Sequence, residues 1–215
     1  MIDFLINEPA NHVGPNLVLA HGAGALMDSD FMNAIAEGVA KNGIRVWRFE
    51  FPYMRERRET GKKRPPNTQK VLLESWQEVF HQVTEQLKTM GRDHESIYIG
   101  GKSMGGRMAS LLADEIKPSG LICLGYPFHA LGKPEKPRTE HLAEIVTPTL
   151  ILQGTRDPMG NQERVSEYAL SEAINLTWLE DGDHDLKPRV KSGLTHKENM
   201  QFANQYISDF VFAAL

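Results

Sequence analysis

The sequence predicts an α/β architecture, a mostly parallel sheet with helices on both faces. Three observations carry that expectation. Short apolar runs alternate with longer amphipathic stretches along the 215 residues. Helix caps and glycine stops bound the amphipathic stretches. One strand-like run, Ile97-Tyr98-Ile99, enters a glycine-crowded turn and leaves it as a helix.

Taken in order, an opening strand near Ile2–Ile6 is expected at an edge, followed by a core strand at Asn16–Ala20. Ser29 then caps a helix that buries Phe31, Ile35 and Val39 and stops at Gly43. Arg45–Phe51 is the next strand. A long helix runs from about Thr68 to Met90, with Leu72, Trp76, Val79, Phe80, Val83 and Leu87 at helical spacing and Gly91 as its stop. Ser96–Gly100 leads into a helix at Gly105–Glu115, and strands follow at Gly120–Gly125, Thr149–Gly154 and Leu176–Glu180. A helix over Gln162–Ala173 carries Val165, Tyr168 and Ala169. The last helix opens with the capping box Thr195-x-x-Glu198 and buries Met200, Ala203, Ile207, Phe210 and Ala214. Two segments read as irregular and long enough to be functional: basic Met54–Asn67, and Tyr126–Pro148 with its four prolines.

Composition bounds the function. A net charge of -4 gives no general attraction to nucleic acid or anionic lipid. The lone Cys123 excludes an internal disulfide framework and fits a reducing compartment. The amino-terminal residues lack the pattern of a signal peptide, and no apolar run approaches a membrane span, so a cytoplasmic protein of one domain over residues 1–215 is expected. His12, His81, His94 and His196 show no ligand spacing, so neither a metal site nor a cofactor is expected.

The chemistry centres on Gly101-x-Ser103-x-Gly105, the pattern of a strained strand-to-helix turn that pushes a hydroxyl out of the backbone. A serine needs a histidine to take its proton, and the histidine needs a carboxylate to hold its tautomer. Asp157, after Gly154-Thr-Arg, and His184, within Asp181-Gly-Asp-His184-Asp185, follow separate strands in the order Ser, Asp, His. Asp181, Asp183 and Asp185 remain alternatives for orienting the imidazole. The main-chain N–H groups of Met104 and Ala23 are the candidate oxyanion donors, with Gly24 in reserve. His21 is expected to brace the loop His21-Gly22-Ala23-Gly24-Ala25. Tyr53, Met54, Tyr126, Phe128 and Met159 follow strand ends and are, with Gly24, the candidates for substrate contact. His129 and His141 lie in the proline-bearing loop, which is expected to overhang the site. Lys102 and Arg107 read as surface or supporting groups, and the basic residues of 55–64 as a solvated loop or an electropositive rim for an anionic substrate.

These motifs resemble the α/β-hydrolase superfamily over nearly the whole chain. The phrases His21-Gly-Ala-Gly-Ala-x-Met27-Asp28, Gly100-Gly-Lys-Ser-Met-Gly-Gly-Arg-Met108, Gly125-Tyr-Pro127, Arg138-Thr-Glu-His-Leu142 and Gln153-Gly-Thr-Arg-Asp-Pro158 are similar to a narrower group of small, lidless, dienelactone-hydrolase-like proteins. That group includes a testis-expressed protein and the hydrolase-like domain of a histone-acetyltransferase-complex subunit. The resemblance implies an α/β-hydrolase fold with the Ser103 strand central, a trimmed amino terminus and no large lid. The ordered set Ser103, Asp157 and His184 at strand ends points to a serine hydrolase acting on a small or medium carboxylic ester or thioester. A non-catalytic protein-interaction module on the same fold, or a peptidase or acyltransferase, remain the alternatives.

Overall fold

A computed structural model describes residues 2–11 and 14–213. The elements, in chain order, are β1 (Leu5–Asn7), β2 (Asn16–Ala20), α1 (Asp30–Lys41), β3 (Arg45–Phe49), α2 (Pro52–Thr60), α3 (Gln69–Thr89), β4 (Ile97–Lys102), α4 (Met104–Ser110), α5 (Ala113–Ile116) and β5 (Gly120–Leu124). Then come β6 (His129–Ala130), β7 (Lys133–Pro137), β8 (Thr149–Gly154), α6 (Gln162–Val165), β9 (Ile174–Leu179) and α7 (His196–Phe212).

The described residues form a seven-stranded sheet in the order β1-β3-β2-β4-β5-β8-β9. Only β1 runs antiparallel, against β3 at the edge. Burial on both faces explains why the central strands read as unbroken apolar runs: all five residues of both β2 and β5 are buried. Ala20 pairs with Gly101 and Phe49, and Lys102 with Leu124. The carboxyl ends of β3, β2, β4 and β5 are therefore level, and the chain turns leaving them share one rim. Trp76, Val79 and Val83 of α3, with Met108 of α4, cover one face. Met32, Ile35 and Val39 of α1, with Met200, Ala203 and Ile207 of α7, cover the other. Cys123 lies at the centre of β5, fully buried, with its Sγ 3.6 Å from the Gly106 carbonyl oxygen.

Several boundaries depart from expectation. The helix expected through Ala173 stops at Val165, because the next segment is drawn elsewhere. Ser171 N–H donates to Leu142 O, and Ser171 Oγ donates to Ile145 O. The helix after the turn breaks beyond Ser110, whose hydroxyl turns back onto Arg107 O and meets His141 Nε2. Met54–Asn67 is helical through Thr60, and Tyr126–Pro148 contains the small hairpin β6–β7. Phe31, Phe80 and Phe210 are half-buried, and the buried row of α1 runs through Met32 instead. Ser29 makes no side-chain cap bond, whereas the Thr195–Glu198 capping box forms in both directions. Ala214 and His12 lie outside the described residues.

Candidate active site

Ser103 follows β4 with φ 50° and ψ −114°, a left-handed backbone that a non-glycine residue holds only under constraint. Such strain costs about 1–3 kcal/mol. The constraint is visible in its neighbours. A Cβ on Gly105 would come within 2.6 Å of the carbonyl oxygens of Ala20 and His21, so only glycine lets α4 start this close to β2. Ser103 N–H donates to Leu124 O, and Trp76 Nε1–H donates to Gly105 O, tying the turn to β5 and α3.

Three distant side chains meet here. His184 Nε2 lies 2.8 Å from Ser103 Oγ, and His184 Nδ1 lies 2.8 Å from Asp157 Oδ2. This geometry assigns the proton on Nδ1, leaving Nε2 to accept from the serine hydroxyl. Asp157 is fully buried. Its other oxygen, Oδ1, accepts from Met159 N–H at 2.8 Å, and Oδ2 also accepts from Gln153 Nε2 at 2.8 Å. A buried carboxylate is tolerable only when its lone pairs are met in this way. The alternative acids are otherwise engaged. Asp181 pairs with Arg189 and Arg156, and its pKa is held well below the usual range, chiefly by hydrogen bonding from Arg189. Asp183 accepts from the N–H groups of Asp185 and Lys187, and Asp185 contacts Lys102.

One supporting residue escaped the reading of the sequence, and another resolves between two readings. Gln153 closes a buried knot: its Oε1 accepts from Tyr126 N–H while its Nε2 donates to Asp157, Tyr126 O and Gly160 O. Its position as the penultimate residue of β8, four before Asp157, was the available signal. Lys102, read as a surface or supporting group, is buried and takes the supporting place. Its Nζ donates to the His184 carbonyl at 2.6 Å, sits 3.2 Å from Asp185, and lies over the Phe31 ring. Burial lowers its pKa, offset in part by Asp185. Gly125, at φ 61°, lets this loop close: a Cβ there would stand 2.6 Å from His184 O and 3.1 Å from Lys102 Nζ.

Ser103 opens on a cleft of about 310 Å³. Ala23 and Met104 line it together with Ser103, Met104 beginning α4 directly after the serine. His21 braces the Ala23 loop. Its Nδ1–H donates to Gly22 O at 2.7 Å, and its Nε2 accepts from Phe51 N–H at 3.2 Å. Burial lowers its pKa, as this neutral tautomer requires. Met159 also lines the cleft, and Gly24 is exposed beside Ala23. The other expected substrate contacts are corrected. Tyr53, Met54, Tyr126 and Phe128 are buried and absent from the cleft wall, because the turns after β3 and β5 send them inward. Tyr53 works from behind instead, its hydroxyl donating to Ala23 O at 3.0 Å. Tyr126 Oη donates to Arg138 O at 3.0 Å. Arg107 and Arg138 reach the cleft, which Asn67, Gln69 and the apolar Leu72, Met108 and Pro127 also line.

The basic segment is partly spent on structure: Arg58 bridges buried Glu50 and Asp28, and Arg64 pairs with Glu56. A larger groove of about 650 Å³ between α1 and α7 contains none of the relay residues. No group of three or more metal-ligating side chains occurs among the described residues, and no helix among them is long and apolar enough to cross a membrane.

Comparison with known proteins bears on the fold. A family model described as an alpha/beta hydrolase domain matches residues 14–212. A dienelactone hydrolase from Anabaena variabilis superposes with a TM-score of 0.74 at 16% identity, over 99% of this chain and 91% of that one. An alpha-beta serine hydrolase homologue from Coxiella burnetii gives 0.72 at 16% identity, over 96% and 90%. A lidless serine hydrolase from Xanthomonas campestris gives 0.67 at 17% identity, over 96% and 89%. With a parallel sheet, a strained serine turn and a family match spanning nearly its whole length, this chain belongs to the alpha/beta-hydrolase family.

Proposed function

We propose that the chain is a serine hydrolase that cleaves small or medium carboxylic esters or thioesters through an acyl-enzyme, as one cytoplasmic domain without a cofactor. The unbroken relay from Ser103 Oγ through His184 to buried Asp157, with both links at 2.8 Å, is the observation that supports this reading most. Ser103 Oγ attacks the acyl carbon as His184 Nε2 takes its proton, and Asp157 stabilises the imidazolium that forms. The N–H groups of Met104 and Ala23 receive the developing oxyanion; one such donor contributes about 3–4 kcal/mol to barrier lowering. His184 then returns the proton to the leaving alcohol or thiol. In the second half it takes a proton from water, which attacks the acyl carbon and releases the acid and Ser103. The cleft is open to solvent, so water reaches the acyl-enzyme readily, which favours hydrolysis over transfer.

A fluorophosphonate probe with mass spectrometry tests the assignment. The folded wild type is expected to be labelled at Ser103, and Ser103→Ala and His184→Ala to lose labelling and turnover of short p-nitrophenyl esters. A well-folded wild type that takes no label and turns over no ester overturns it.

A further inference from the structure

The cleft on which Ser103 opens is lined by two guanidiniums and no carboxylate among the described residues. Arg107 stands on α4, and Arg138 directly follows β7. Neither belongs to any ion pair among those residues. Arg107 Nε is buried and meets no acceptor among them, and its Nη2 reaches only Gln69 Oε1, at 3.4 Å. The Arg138 main chain is pinned on both sides, its N–H on Phe128 O at 2.7 Å and its carbonyl under Tyr126 Oη. Two like charges lining one small space repel: burial chiefly lowers the pKa of Arg107, and Arg138 adds to the effect. An anion between them removes that repulsion and supplies the missing acceptors.

We infer that Arg107 and Arg138 form an oxyanion-binding subsite that selects esters bearing a carboxylate or phosphate of their own. The inference deepens the hydrolase reading and rests on it for the word ester. The apolar side chains of Leu72, Met108 and Pro127 accommodate a short hydrocarbon spacer between the reacting carbonyl and the anion. At about 310 Å³ the cleft is at the small end of ligand sites, which suits a compact anionic ester and not a long acyl chain. The basic side chains of residues 55–64 are not required: Arg58 and Arg64 already have partners.

The test compares p-nitrophenyl half-esters of succinate, glutarate and adipate, corrected for self-hydrolysis, with neutral p-nitrophenyl esters of equal chain length. The expected result is at least one half-ester preferred by roughly tenfold or more in kcat/KM, the size of a charge-assisted contact. That ratio is expected to fall toward one in Arg107→Gln/Arg138→Gln, to be kept in part by Arg107→Lys/Arg138→Lys, and to shrink with added salt. A wild-type ratio of one or less, or a ratio untouched in the folded double variant, overturns the inference. A second arm does not depend on turnover: calorimetric binding of glutarate and of inorganic phosphate to Ser103→Ala. Tighter glutarate identifies a carboxylate as the anion, and tighter phosphate a phosphoryl group. Binding of neither, or binding unaffected by the arginine substitutions, overturns the inference even if neutral esters are hydrolysed. Arginine-dependent binding in a chain that hydrolyses no ester and takes no fluorophosphonate supports the anion subsite and fells the hydrolase reading alone.

Discussion

The two walls of the cleft are built on opposite plans. On the wall that Ser103 presents, backed by His184 and buried Asp157, the carboxylate oxygens, both ring nitrogens and the serine hydroxyl all have partners, and Gln153, Lys102 and Met159 N–H fix those partners in turn. On the wall formed by Arg107, Arg138, Asn67 and Gln69, donors outnumber acceptors and a buried Arg107 Nε is left over. A saturated network holds one geometry, as proton transfer demands, whereas an unsaturated one leaves its remaining bonds for a ligand. On the proposed function, chemistry and selectivity fall to separate side chains, and each can be broken without the other.

The sharpest break falls on the saturated wall. Asp157→Asn keeps the shape but removes the charge and presents the wrong tautomer to His184, so kcat is expected to drop by about 10³–10⁴-fold with little change in KM, measured by steady-state kinetics. Lys102→Met should cost up to about 10²-fold in kcat by releasing the His184 carbonyl. Because Lys102 is a buried cation, the same change is expected to leave thermal stability unchanged or raise it. Loss of activity with a retained melting temperature thus separates positioning from folding, and Lys102→Arg should recover part of the rate. Gly125→Ala puts a methyl 2.6 Å from His184 O in a left-handed backbone, and is expected to destabilise by about 1–3 kcal/mol on chemical denaturation.

The smallest effect concerns the histidines beside both walls. His141 is pushed down to about 4 from 6.5, chiefly by burial, with Arg107 adding to the effect, and His21 is lowered by burial as well. For His141, a folded pKa below the unfolded one means that the unfolded chain binds more protons between about pH 6.5 and 4. Its contribution is complete above pH 6.5 and is lost as pH falls through that window. His141 is only partly buried, so solvent screening leaves about 1 kcal/mol, a shift of a few degrees. His141→Gln is expected to flatten the melting temperature between pH 6.5 and 4, read by calorimetry.

What was legible in the sequence follows the same division. Asn16–Ala20 and Thr149–Gly154 coincide with β2 and β8, because a strand buried on both faces carries an apolar run, here Leu17–Ala20 and Leu150–Leu152. Ser103, Asp157 and His184 are recoverable because each needs its residue type just past a strand end, in a fixed order. The substrate-facing wall was not recoverable. Tyr53, Met54, Tyr126 and Phe128 also follow strand ends, yet where a side chain points after a strand depends on turn dihedrals such as φ 61° at Gly125. Arg138 reaches the cleft through a hairpin pairing that proline-rich composition disguises as loop.

The thiol behind the serine turn has a practical consequence. Cys123 is the only cysteine, it is fully enclosed, and burial raises its pKa far above neutrality. An alkylating reagent finds no thiolate until the middle of the sheet comes apart, so its rate of incorporation is a built-in clock for global opening, readable on the unmodified wild-type sequence.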